Sequence, residues 1–207
     1  YMTFLRFNIS WIFIFISVIG NAQTTKYKIE EVGSIEISDI LELQSKTYAK
    51  EKIKWLAERS LPAKPKTVFQ QAGLNAGDPT SRETYARLIL EIEYGEFVSS
   101  KYNPADDPEA DIPSMCDAIH QYLKQSFSGG PLKFESFGTC NVPQINGNYA
   151  IYYSYTRSYP PNAPVFVEVY IFQNSTRKVT LTLSYRIEDS YKWKAALEEA
   201  VQSFKLP

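Results

Sequence analysis

From Leu132 to the C-terminus the hydrophobic pattern is the most regular in the chain. In Lys178–Glu188, Val179, Leu181, Leu183, Tyr185 and Ile187 alternate with Thr180, Thr182, Ser184 and Arg186. A period of two predicts a strand with one buried face. Further strands are predicted at Leu132–Cys140, Asn148–Arg157 and Val165–Gln173. The polar run Gln173-Asn174-Ser175-Thr176 between two strong strands predicts a hairpin, and the proline-rich Ser158–Pro164 fits a longer connection. The period then changes. Trp193, Ala196, Leu197, Ala200, Val201 and Phe204 recur at i, i+3/i+4 and i+7, which predicts a closing helix from Ser190 to Phe204. Asp189 or Ser190 is its candidate N-cap. Its apolar stripe is expected to dock on the sheet face carrying Val179, Leu181 and Leu183, because hairpin and helix adjoin in sequence.

The earlier pattern is less regular. Ile35, Ile37, Leu41 and Leu43 alternate with polar residues within Ser34–Gln44 and predict an extended strand or strand pair. Lys46–Arg59 is rich in helix formers and predicts a short helix closed by Pro62 and Pro65. Strands are predicted at Thr67–Ala72 and Tyr85–Tyr94; in the second, Leu88, Leu90 and Ile92 oppose Arg87, Glu91 and Glu93. The loop Asn103–Asp111 ends in the N-cap candidate Asp111, with Pro113 in the first turn of the helix that follows. Met115, Cys116, Ile119, Tyr122, Leu123 and Phe127 keep helical spacing until Gly129-Gly130-Pro131 stops it. Long strands joined by short turns, with helices between and after them, predict an α+β fold: an antiparallel β-sheet with helices packed on it.

The first 22 residues read as a secretory signal peptide. Arg6 supplies the positive charge, Ile9–Ile19 is an apolar run interrupted by two serines, and Gly20 and Ala22 suit a cleavage site after Ala22. That run is short for a membrane span, which takes about 20 apolar residues. An N-terminal anchor or a buried helix is the alternative. The expected division is therefore 1–22 signal peptide and 23–207 one α+β domain, secreted or periplasmic, with no membrane span after leader removal.

Charge and composition narrow the function. Lys plus Arg total 22 against 23 Asp plus Glu; without Arg6 the balance is 21 against 23. Near neutrality provides no electrostatic reason to bind nucleic acid. With 44% apolar residues the chain has material for a core. His120 is the single histidine, and Cys116 and Cys140 are the two cysteines, too few for a zinc finger or a two-histidine site. In an oxidising compartment an even cysteine count favours a Cys116–Cys140 disulfide; two buried, unpaired thiols are the alternative.

Candidate chemistry is sparse. His120 lies four residues from Cys116, the spacing of a pair on one helix face, but a nucleophilic pair also needs an orienting third group and a cleft. The acidic loop of Asp106, Asp107, Glu109 and Asp111 offers oxygen ligands for calcium without the spacing or the glycine of an EF-hand. No cofactor is implied. Tyrosine is abundant, and Tyr149, Ile151, Tyr153 and Tyr155 share one strand face, with Tyr152 opposite. An exposed strip of Tyr149, Tyr153 and Tyr155 would bind a glycan, a peptide or a partner protein. The alternative is a sheet face covered by the terminal helix.

The element order resembles the PsbP/Mog1-type α/β/α sandwich. The resemblance is carried by IEISDILELQ with TVFQQAGLN, by the central helix IPSMCDAIHQYLKQSF, and by the closing FVEVYIFQNSTRKVTLTLSYRIEDSYKWKAALEEAVQSF. It spans nearly all of the chain after the leader and consists of apolar patterning, so it implies a fold and no catalytic residue. The leader ending Asn-Ala-Gln and the tyrosine content resemble secreted proteins of Bacteroidetes bacteria. Family members include photosystem accessory subunits, binders of small GTPases and bacterial envelope proteins, so the resemblance implies little about activity beyond a binding module. With the leader and no catalytic constellation, the expectation is a secreted or periplasmic, non-enzymatic binding or accessory domain. The alternatives are a carboxylate-dependent hydrolase using Glu91 and Glu93, and a structural or adhesin-like envelope subunit.

Overall fold

The computed structural model describes residues 23–29, 32–47, 66–99, 101, 104 and 111–206. The expected leader, the bulk of the helix expected at Lys46–Arg59, and Asp106, Asp107 and Glu109 lie outside the described residues. The described strands are β1 (Thr24–Ile29), β2 (Gly33–Ser38), β3 (Leu41–Leu43), β4 (Thr67–Gln71), β5 (Ala86–Tyr94), β6 (Lys133–Asn141), β7 (Gln144–Ile145), β8 (Asn148–Tyr149), β9 (Ile151–Ser158), β10 (Val165–Gln173) and β11 (Arg177–Arg186). Two α-helices accompany them, α1 (Ile112–Ser126) and α2 (Ser190–Ser203).

Seven strands form one antiparallel sheet in the order β3-β4-β5-β11-β10-β9-β6. The strongest hairpin, β10–β11, lies at its centre. That position explains the sequence of β10. Val165–Gln173 reads VFVEVYIFQ with scarcely any alternation, as befits a strand covered on both faces.

One face carries Val179, Leu181, Leu183 and Tyr185 of β11, with their Cα partners Ile92, Leu90, Leu88 and Ala86 on β5 and Phe172 and Tyr170 on β10. Helix α2 covers it as expected. Trp193, Leu197, Val201 and the residue beyond the helix, Phe204, are fully buried, and the Phe204 ring lies 5.1 Å from that of Phe172. Burying four such side chains contributes about 1.5–3 kcal/mol each. The β1–β2 hairpin extends the same layer, with Ile35 and Ile37 buried in the core. β1 has no counterpart among the expected elements, since the polar Thr-Thr-Lys-Tyr-Lys leaves it mostly exposed. The start of β2 and the segment after α2 are joined here: Ser34 N–H and Lys205 N–H each donate to the other's carbonyl at 2.9 Å. Gly33 is required at that junction, because its φ is +137° and a Cβ would lie 2.1 Å from the Lys205 carbonyl oxygen.

Helix α1 packs on the opposite face along β6. Asp111 caps it, accepting from Ser114 N–H at 2.9 Å, and Pro113 occupies the first turn. Asp189 does not cap α2 through its side chain; its carboxylate instead accepts the Tyr85 N–H at 3.1 Å. The far end of α2 is served from a distance. Asn146 Nδ2 donates to the carbonyls of Gln202 and Phe204 at 2.7 and 2.8 Å, two of the acceptors a helix end leaves unpaired. Asn146 and Gly147, both at positive φ, turn β7 into β8. The strand expected from Asn148 accordingly breaks at Ala150, and Asn-Gly is the signal for that turn. The expected strand through Glu188 also ends early, at Arg186, in a 3-10 turn over Ile187–Asp189.

Candidate functional site

The α1 layer is built as two matching stripes. Cys116, His120 and Phe127 descend one helix face; Cys140, Phe137 and Phe134 descend β6. Eleven helical residues rise about 16 Å and six strand residues about 20 Å, so the stripes stay in step. Cys116 and Cys140 form the disulfide, with Cα atoms 5.8 Å apart. The His120 ring stacks on Phe137 at 4.7 Å and 7° between planes, and Phe127 packs against Phe134 and Tyr155 at 6.2 and 5.8 Å. The thiol that would have served His120 as a nucleophile is thus held in a disulfide. Tyr122, expected on the buried stripe, is exposed.

This stripe places two of the three tyrosines. Tyr153 is the Cα partner of Cys140 and Tyr155 that of Phe137, so both stand on the α1 side of the sheet. The helix over them is the central one; the terminal helix covers Tyr152 on the other face. Tyr153 and Tyr155 are half-buried, and burial pushes the Tyr153 hydroxyl up to about 12 and that of Tyr155 upward as well. Tyr149 lies apart from them. It borders a groove of about 100 Å³ with Val98, Pro104, Val142, Ile151 and Ile171.

The carboxylates Glu91 and Glu93 project from β5 on the same side. Each is met by a lysine at 2.7 Å, Lys66 for Glu91 and Lys178 for Glu93. Among the described residues no group of three or more His, Cys, Asp or Glu side chains could hold a metal ion.

A carboxylate that the hydrophobic pattern conceals lies on the α2 side. Glu168 of β10 is 5% exposed. Its Oε1 accepts the Tyr152 hydroxyl at 2.8 Å, while its Oε2 has no hydrogen-bond partner among the described residues. Burial, with a smaller push from Glu198, raises its pKa above the ordinary glutamate value; the Tyr152 bond and Lys194 act against that rise. Burial likewise raises the hydroxyl pKa values of Tyr152, Tyr170 and Tyr185 around it. The signal for Glu168 was present in the sequence: a lone charge in an unbroken apolar strand has to be buried.

At one end of the α1 side lies an open cavity of about 280 Å³. Its lining includes Tyr85, Arg157, Ser158, Tyr159, Asn162 and Arg186. The register brings the arginines together, since Arg157 and Arg186 are both Cα partners of Val165 and flank it on one row. Two strand spacings put their backbones about 10 Å apart. The loop Ser158–Pro164 forms the rim, turned by the bond from Asn162 N–H to the Tyr159 carbonyl at 2.8 Å. Neither arginine stands out in the sequence. They lie nearly thirty residues apart, and only the pairing of β9, β10 and β11 aligns them.

No helix among the described residues is long and apolar enough to cross a membrane. No protein-family model matches the chain, and no curated protein sequence matches it. Solved structures do. The solution structure of cyanobacterial PsbP (CyanoP) from Synechocystis sp. PCC 6803 is similar at a TM-score of 0.50 and 13% identity, over 92% of this chain and 96% of that one. LpqN, involved in cell envelope biogenesis of Mycobacterium tuberculosis, is similar at 0.46 and 12% identity, over 87% and 88%. A crystal structure from Bacteroides thetaiotaomicron VPI-5482 is similar at 0.46 and 10% identity, over 88% of this chain and 48% of that one. At such identities the likeness to CyanoP concerns the fold: an antiparallel sheet between helices, of PsbP type.

Proposed function

We propose that the protein is an extracytoplasmic binding or accessory domain without a reaction of its own, and that it uses the sheet face bearing α1. One observation carries this reading, the two concave sites on that side of the sheet. The α2 side is closed by the terminal helix and the β1–β2 hairpin over a continuous apolar core. On the other side α1 follows β6, and the cavities beside Tyr149 and between Arg157 and Arg186 open at opposite ends of the sheet. Concave sites on a rigid scaffold, with a few convergent polar groups, are where ligands bind.

The groups that would serve catalysis have other employment. Cys116 is in a disulfide, His120 is stacked on Phe137, and Glu91 and Glu93 are ion-paired with lysines. The disulfide supports an oxidising compartment. CyanoP shares the fold and supplies no ligand.

The test is turnover. The purified, oxidised protein is incubated with chromogenic ester, phosphoester, glycoside and peptide substrates. We expect rates equal to buffer. Reproducible turnover that disappears in Glu91→Gln would overturn the reading in favour of a carboxylate hydrolase.

A further inference from the structure

We propose that the cavity between Arg157 and Arg186 binds a small organic anion, gripping its carboxylate or phosphate oxygens. The inference rests on the binding-domain reading above and gives its ligand a chemical class. The argument begins with Arg157. Its Nε is buried and has no hydrogen-bond partner among the described residues, and no carboxylate of those residues forms an ion pair with it or with Arg186. A buried, unanswered donor on a permanently charged group is costly, and native proteins seldom leave one without an acceptor. Among the described residues the Arg186 guanidinium makes one hydrogen bond, from Nη1 to the Glu83 carbonyl, which leaves further donors of its fork to the cavity.

Two carboxylates near the cavity are engaged elsewhere. Glu135 accepts from the Ser158 hydroxyl, and Asp189 accepts from Tyr85 N–H. The Arg87 guanidinium stands 5.4 Å from the centroid of the Tyr85 ring and stacks against that wall of the cavity. Tyr85 Oη is bonded to Ser184 Oγ at 3.2 Å, so its ring is held in place as a wall.

The shape selects the rest of the ligand. Guanidinium forks match carboxylate and phosphate oxygens in bidentate fashion. Val165 lies on the row between the two arginines, and Leu132 and Ala163 also line the cavity, so an apolar body fits beneath the charged head. About 280 Å³ suits a small molecule, near the lower end for ligand pockets. Tyr159, 49% exposed at the rim, offers a ring to the portion that emerges.

The experiment is an NMR titration of the intact oxidised protein at constant ionic strength, with inorganic phosphate and benzoate as probes and chloride as control. Saturable amide shifts centred on Tyr85, Arg157, Ser158 and Asn162 are expected from at least one probe. Response to phosphate alone assigns a phosphoryl ligand, and response to benzoate alone a carboxylate one; either supports the proposal. Arg157→Gln should weaken binding by about tenfold or more, the scale of a lost charge-assisted bond. Arg157→Lys should recover part of that loss, because the charge remains and the fork does not. No response to either probe, shifts shared equally with the chloride control, or undiminished affinity in Arg157→Gln would overturn it. If Arg157→Gln fails to fold, Arg186→Gln takes its place, and undiminished affinity there overturns the two-arginine clamp. The turnover test is independent: failure of anion binding leaves the binding-domain reading standing, and turnover lost in Glu91→Gln removes that reading whatever the anions do.

Discussion

Glu168 shows what one side chain can do to the pH dependence of a whole fold. Its carboxyl lies beneath α2 with one oxygen bonded to Tyr152 and the other without a hydrogen-bond partner among the described residues, and burial holds its pKa above the ordinary 4.5. Below that ordinary value both the folded and the unfolded chain hold the proton, and the group adds no penalty. As pH rises toward the folded value the unfolded chain loses its proton first, so stability falls across that window and stays lowered above it. Glu168→Gln keeps an acceptor for Tyr152 and cannot ionise. Urea midpoints measured from about pH 4 to about pH 7 should therefore drift in favour of the variant as pH rises. A difference between the two proteins that stays flat across this range would mean that Glu168 ionises in the fold as it does in water.

At the scale of elements, α2 is the clearest case of pattern becoming packing. Its stripe of Trp193, Leu197, Val201 and Phe204 is buried where the spacing put it, while Lys194 and Glu198 face outward in a loose i,i+4 pair at 3.7 Å. Leu197→Ala should cost about 2–5 kcal/mol through lost transfer energy and the cavity left behind. Lys194→Ala should cost less than about 0.5 kcal/mol, since exposed helical ion pairs contribute little. Chemical denaturation of both variants checks this, and equal losses would mean that α2 is not docked on the core. The ends of α2 behave differently from its middle. Asp189 turns to Tyr85 and Asn146 reaches across from the β7–β8 turn. Both arrangements depend on chain segments remote in sequence, so local capping rules could not foresee them.

Across the whole molecule, the disulfide is the covalent tie between the α1 layer and the sheet. Its cysteines are 24 residues apart, and closing such a loop stabilises by roughly 3.5 kcal/mol in the chain-entropy account. Cys116→Ser should lower the unfolding free energy by about that amount, read from denaturation midpoints of protein made in an oxidising host. It should also loosen the aromatic stack below: the His120 ring signals, shifted by Phe137 in the native protein, should move toward random-coil positions. A variant as stable as the parent, with unchanged His120 signals, would mean that the aromatic stripe alone holds α1.

The sequence by itself determined the elements whose pattern is local: β5, the β10–β11 hairpin, α1 with its Asp111 cap, α2, and the antiparallel α+β class to which they add up. Periodicity carries that information because each element must present one face to a core. The tertiary structure decided everything that depends on register. It chose the central helix to stand over Tyr153 and Tyr155, separated Tyr149 from them, and set Arg157 beside Arg186 across Val165. β1, exposed and polar, has no apolar period to announce it and exists through its pairing with β2. The physical reason is common to all of these. An apolar period states which side of a strand is inside, but a strand's neighbours follow from long-range pairing, and only the pairing decides which side chains meet.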